Sequence, residues 1–253
     1  MRRLLGLLAG LLVGLLVGLL LVAGCHRPAA PATATAPAVS APALPPVVRQ
    51  IKTAPEFPAP TAAAAYSVDD GAIAIDGRRI PIAGDGPVDS IAHGLARVPR
   101  ELRDVLQTLA ISPTPSPNDA YFAAKYKLPV KAGMATGSHG DITIFPYGLE
   151  LMHRSESILV KNFMHELGHA WSRIEWQADP KAREAWLAAI ASDPGVASEY
   201  ARTSFKSSGA PDEDVAETTA LFFLVRGTPR FEPYRAAMPA RFALIAKRFE
   251  PGR

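Results

Sequence analysis

Five consecutive residues carry the strongest chemical signal in the chain: His165-Glu166-Leu167-Gly168-His169. On a helix, side chains four positions apart emerge on one face, one above the other. Two neutral imidazoles so placed can both reach one Zn²⁺ at about 2.0–2.1 Å. Glu166, turned about 100° from His165, is set to act as a base toward a water instead of as a ligand. Two ligands and a base in this register are the working core of a zinc hydrolase. The flanks suit a buried, rigid helix: Ser157 to Met164 leads in as a largely apolar run, and Ala170-Trp171 follows.

A catalytic zinc takes three protein ligands and keeps one position open. Glu175, six residues after His169, is a poor third. With Ser172 where a helix-breaking Gly would be needed, the helix continues and turns Glu175 about 240° away. The segment Pro211 to Leu224 offers a better one. Pro211 and the acids Asp212, Glu213 and Asp214 mark a helix start. Val215, Leu221, Phe222 and Leu224 then form an apolar stripe. Glu217 lies inside that stripe, where an unpartnered carboxylate is costly, so the expectation is Glu217 as third ligand. Glu213 and Asp214 read as solvated helix-start acids, one of which can back a ligand His.

These segments, with Ser198-Glu199-Tyr200-Ala201-Arg202-Thr203-Ser204 between them, resemble the catalytic domain of anthrax lethal factor-type zinc metallopeptidases and the similar bacterial Pro-Pro endopeptidases. The resemblance covers roughly residues 95–230. It implies His165, His169 and Glu217 on zinc, Glu166 as general base, and Tyr200 assisting at the oxyanion. Thermolysin-like enzymes carry an Asp four residues after the ligand Glu. Counted from Glu217 that place is Leu221, which departs from their pattern.

The N-terminus suggests where such chemistry takes place. Arg2 and Arg3 precede an apolar run ending in Leu21-Val22-Ala23-Gly24-Cys25, the order of a secretory signal. Its end resembles a bacterial lipobox, which implies residues 1–24 as signal peptide and lipid on Cys25. The run is also long enough for an uncleaved anchor. Cys25 is the only cysteine, so neither an intramolecular disulfide nor a thiolate ligand is available. His26 stands where Asp would favour inner-membrane retention in such lipoproteins, which points to the outer membrane, facing the periplasm. Residues 25–65, rich in Ala and Pro, cannot bury enough apolar surface to offset chain entropy and read as a disordered tether.

Residues 66–253 remain for one domain, enough for a single core. Ala72–Ile75 and Arg78–Ile82 flank Asp76-Gly77 as a hairpin, with Pro81 suggesting an edge strand. Helical patterns run over Asp89–Ala96 and Pro99–Ala110, then Pro180–Ala191 and Pro233–Phe249. In the last, Arg241 belongs to a basic, solvated face. Residues 133–140 read as a flexible segment before a strand at Asp141–Pro146. In the gluzincin-type peptidases the chain resembles, an extended substrate often lies along a sheet edge beside the zinc helix. His93, His139 and His153 are isolated and take no role.

The expected fold is α+β, mostly helical and zincin-like, with a small sheet beside the H-E-x-x-H helix. The expected function is a lipid-anchored, Zn²⁺-dependent endopeptidase acting on protein or peptide substrates. The alternative is a non-catalytic envelope lipoprotein with a structural zinc or a peptide-binding site. A net charge of +3, of which Arg2 and Arg3 supply two, offers no footprint for nucleic acid.

Overall fold

The computed structural model describes residues 62–126 and 131–250; the signal segment, Cys25 and the tether up to residue 61 lie outside them. No described helix is long and apolar enough to cross a membrane. The fold is α+β, with a six-stranded mixed sheet in the order β1-β2-β3-β4-β6-β5. Just before Tyr66, the Ala64 N–H donates to the Ala96 carbonyl at 2.9 Å.

β1 (Tyr66–Asp69), β2 (Ala72–Ile75) and β3 (Arg78–Ala83) form an antiparallel meander. Asp76 and Gly77 both take positive φ between β2 and β3, as a two-residue hairpin turn requires. β3 is not an edge strand: through Ile82 and Ala83 it also pairs in parallel with β4 (Thr108–Ile111). Pro81 is tolerated because the Ile82 N–H donates to the carbonyl of Gly71, just before β2, which turns the proline nitrogen the other way, where pairing starts only at Ile82.

Two expectations fail at β4 and β5. The pattern taken as one helix over Pro99–Ala110 divides into α2 (Arg100–Arg103), following α1 (Val88–Ala96), and the strand β4. Leu109 and Ile111 alternate inward with Ile142 and Ile144 of β6 (Asp141–Ile144), the parallel neighbour of β4. Such a short apolar run satisfies both periods until its partners are known. The segment read as flexible contains β5 (Met134–Thr136), antiparallel to β6 and the outermost strand. The sheet edge at this end is thus β5, while Asp141–Ile144 is internal.

After α3 (Asp119–Tyr126) and α4 (Pro146–Arg154), α5 (Glu156–Ala178) crosses the domain. Leu159, Val160, Phe163, Met164, Leu167, Ala170 and Trp171 recur at helical spacing and are all buried. α5 packs against β5, α1 and α2 as well as α6 (Pro180–Ser192), and most extensively against α8 (Asp212–Val225). α7 (Glu199–Ser208) also lies on α8.

The last expected helix is two: α9 (Phe231–Ala237) and α10 (Pro239–Phe249), with Pro239 starting the second. Arg241 corrects the sequence reading further. It is fully buried. Its guanidinium pairs with Asp193 at 2.9 Å and Asp214 at 2.6 Å, and it donates to the Gly195 carbonyl. The Trp186 Nε1–H takes the other Asp214 oxygen at 3.0 Å. Asp193 also accepts the N–H groups of Ala240 and Arg241 at the start of α10.

A solvated arginine would lose under about 0.5 kcal/mol on replacement. Arg241→Met leaves two buried carboxylates uncompensated and is expected to cost about 3–5 kcal/mol. Urea unfolding of the two proteins separates these figures, and a change below about 1 kcal/mol would remove Arg241 as the buried counter-ion.

Candidate metal centre

α5 presents His165 and His169 to the first turns of α8, with their rings edge-to-face and centroids 4.8 Å apart. The helices approach closely because Gly168, between the two histidines, faces Ala216. A Cβ at Gly168 would meet the Ala216 Cα at 2.8 Å and the Thr219 Cβ at 3.1 Å. One turn on, the Trp171 indole N–H donates to the Thr219 hydroxyl at 3.1 Å. The contacts Gly168–Ala216 and Trp171–Thr219 fix the sliding register of α8 against α5.

That register brings Glu213 between the histidines. Its Oε2 lies 3.4 Å from the His165 Nε2 and 3.5 Å from the His169 Nε2. Donor atoms of these three residues all fall within 4.8 Å of one another. Donors on a tetrahedral ion at about 2.0–2.1 Å stand roughly 3.3–3.4 Å apart, so the Glu213–His spacings are those of ligand edges. The same Oε2 is buried and has no hydrogen-bond partner within the described residues, a state buried carboxylate oxygens rarely keep. Two imidazole nitrogens and a carboxylate oxygen suit Zn²⁺ by donor type, and the residues fit the ion.

Glu217, expected as third ligand, occupies a different place. Its Oε1 accepts from the His165 Nδ1 at 2.9 Å, on the side of the ring away from Glu213. This directs the Nε2 of His165 toward Glu213 and matches the orienting carboxylate that metal-binding histidines carry. The Ser198 hydroxyl also bonds Glu217, and the Lys161 Nζ lies 3.9 Å away. The solvated-acid reading of Glu213 and Asp214 is corrected as well. Glu213 is largely buried against the histidines, while Asp214, turned about 100° round the helix, is buried on Arg241 and Trp186.

The buried charges shift together. Burial disfavours the His165 imidazolium, but the adjoining carboxylates of Glu213 and Glu217 outweigh it and raise the pKa to about 10. Burial likewise opposes ionisation of Glu213 and Glu217, yet the histidines hold both below the usual carboxylate range, Glu217 at about 2. Asp214 moves the opposite way: burial raises it in spite of Arg241.

Glu166 lies close enough to His165 for its charge to favour the imidazolium. Its Oε2 accepts from the Thr136 hydroxyl of β5 at 2.6 Å. Tyr200 stands in the first turn of α7, 48 % exposed, two residues after Ser198. Glu175 faces the opposite side of α5, 3.8 Å from Arg248, in keeping with its rejection as a ligand. Sequence reasoning did not single out Glu213, which the structure brings to the two histidines, although a signal was present: Glu213 and Glu217 repeat the four-residue spacing of His165 and His169. Thr136 had no comparable signal. No protein-family model, curated protein or solved structure matches the chain.

Two outcomes follow from this geometry. Gly168→Ala forces backbone apart at the helix contact and is expected to cost about 1–3 kcal/mol, together with weakened zinc binding; unaltered urea unfolding and zinc competition would show that the contact is not tight. The second concerns pH. A group raised from 6.5 to about 10 stabilises the metal-free fold fully below pH 6.5 and loses that contribution as pH climbs toward 10. Glu217, lowered from 4.5 to about 2, stabilises above pH 4.5 and loses its contribution as pH falls toward 2. In metal-free protein, melting temperature should therefore fall between pH 7 and 10 more steeply than in His165→Gln, and parallel curves would contradict the shift.

Proposed function

We propose that the chain is a zinc-dependent endopeptidase of the bacterial cell envelope, with a zincin-like domain tethered through lipid on Cys25 at the periplasmic side of the outer membrane. The observation that supports this best is the convergence of His165, His169 and a buried Glu213 oxygen that makes no hydrogen bond of normal geometry, with Glu166 close to His165. Glu213 is the third ligand in this reading, and Glu217 orients His165. Counted from Glu213, the position four residues on is Glu217, a carboxylate where thermolysin-like enzymes carry Asp; the departure at Leu221 arose from counting one turn too late. The likeness to lethal factor-type peptidases supports the class of reaction.

A zinc ion held by His165, His169 and Glu213 supplies Lewis acidity, lowering the pKa of a water toward about 7 and polarising a carbonyl. Glu166 takes a proton from the water as its oxygen attacks the scissile carbonyl carbon, then delivers that proton to the leaving amine nitrogen. Water is consumed, the C–N bond breaks, and a carboxylate and an amine are released. Tyr200, exposed in the first turn of α7, donates to the developing oxyanion. The outer side of β5 receives the peptide in extended form. Gly133 and Gly137 direct a carbonyl and an N–H toward β6, so alternation turns the backbone groups of Met134 and Thr136 outward.

Zinc content of the full-length protein in detergent tests the assignment. About one zinc per chain is expected in the parent and in Glu166→Gln, and little in Glu213→Ala. Glu217→Ala should keep zinc with affinity reduced about 10–100-fold. Retention by Glu213→Ala with loss in Glu217→Ala would return the third ligand to Glu217. Cleavage of a peptide library by the parent and not by Glu166→Gln is expected; a parent that binds zinc but cuts nothing leaves a non-catalytic metal-binding lipoprotein.

A further inference from the structure

Taking Glu166 as the base, the geometry points to Thr136 as the residue that positions its carboxylate, with Arg173 fastening Thr136 in turn. The Thr136 Oγ1 lies 2.6 Å from the Glu166 Oε2 and 2.9 Å from the Glu166 carbonyl oxygen. A hydroxyl has one proton to donate. The shorter contact is to the charged acceptor, in the distance range of a charge-assisted O–H···O⁻ bond, so the carboxylate receives it. The carboxylate then retains one oxygen for proton transfer while the other is held. A Glu side chain with several rotatable bonds otherwise samples many orientations, and a base is effective only within hydrogen-bond reach of the proton it takes.

Thr136 is itself held from below. Arg173 stands seven residues after Glu166, roughly 20° short of two full turns, and so rises from the same face of α5. Its guanidinium donates to the Thr136 carbonyl and lies 3.5 Å from the Gly137 carbonyl. The Gly137 N–H is paired with the Asp141 carbonyl on β6 at 2.8 Å. Thr136 is therefore clamped at side chain and carbonyl by one helix, and its strand continues into the sheet. Arg173 also takes the outward Thr136 carbonyl, an acceptor an added strand would otherwise use. Peptide pairing along β5 accordingly stops at the residue that holds the base.

Two measurements on the full-length protein test this. In metal-free protein, melting temperatures are compared for the parent, Thr136→Val, Glu166→Ala and the double variant. Thr136→Val is expected to lower the melting temperature more in the parent than once the Glu166 carboxylate is gone, when the hydroxyl keeps only the backbone carbonyl at 2.9 Å; additive shifts would overturn the contact. In zinc-loaded protein acting on a library-selected peptide, Thr136→Val should lower kcat on the order of tenfold. KM should stay within about twofold, because ground-state peptide binding does not use the hydroxyl. Thr136→Ser should restore kcat, and a Thr136→Val enzyme with parental kcat would overturn the positioning role. If the parent binds zinc yet cuts no peptide, the endopeptidase reading fails, and the melting cycle still decides whether hydroxyl and carboxylate are coupled.

Discussion

The candidate site depends on how closely α5 and α8 can approach. Helices ordinarily pack with axes about 8–10 Å apart, set by the side chains between them. Here the side chain between the two histidines is absent, and Gly168 lies against the backbone at Ala216. His and Glu are short enough that their donor atoms converge only when the helices stay near. The Trp171–Thr219 bond prevents axial sliding one turn further along. Together these contacts decide which acid meets the histidines. Moving α8 by one residue would rotate Glu213 away by about 100° and offer Asp212 or Asp214 instead.

Burial of several acids at one helix start is tolerable because each finds different compensation. Glu213 meets both imidazoles, while Glu217 meets that of His165 and gains the Ser198 hydroxyl as well. Asp214 faces the other way and relies on Arg241, whose charge also answers Asp193. The positive end of the α8 dipole favours all the acids of the first turn. Removing one cation would leave a buried carboxylate without water, so the network is costly to break even where its net stabilisation is small. Arg241 belongs to the last helix, and through Asp214 the C-terminal helix is tied to the helix that carries Glu213. The packing of α10 thereby reaches the candidate donors without touching them.

Local signals in the sequence were reliable where the chemistry is local. The His165–His169 spacing, the Asp76-Gly77 turn and the apolar face of α5 follow from helix and turn geometry within a few residues. What could not be read depended on partners distant in sequence. Leu109 and Ile111 become strand residues through β3 and β6, and Arg241 becomes a core residue through Asp193, 48 positions earlier. The choice of Glu217 over Glu213 followed a sound premise, that a carboxylate among apolar neighbours needs a partner. Both glutamates have one. An argument from burial alone separates buried acids from solvated ones, but the direction of each carboxylate depends on helix register, which the sequence of α8 does not contain by itself.

The geometry of α5 divides the site into two sectors. His165 and His169 face α8, and everything that sets their donor atoms comes from that side: Glu213, Glu217, Ala216 and, behind them, Asp214 with Arg241. Glu166 and Arg173 face β5, where Thr136 meets both. Glu166 lies about 100° from His165 and 60° from His169 round the helix, far enough for its oxygen to be held from the sheet without competing for the ligand positions. The histidine donors and the Glu166 carboxylate are therefore set by different elements packed on adjacent flanks of one helix. On the proposed reading, changes arriving through α8 and α10 would act on the metal donors, while changes arriving through the sheet edge would act on Glu166 through Thr136.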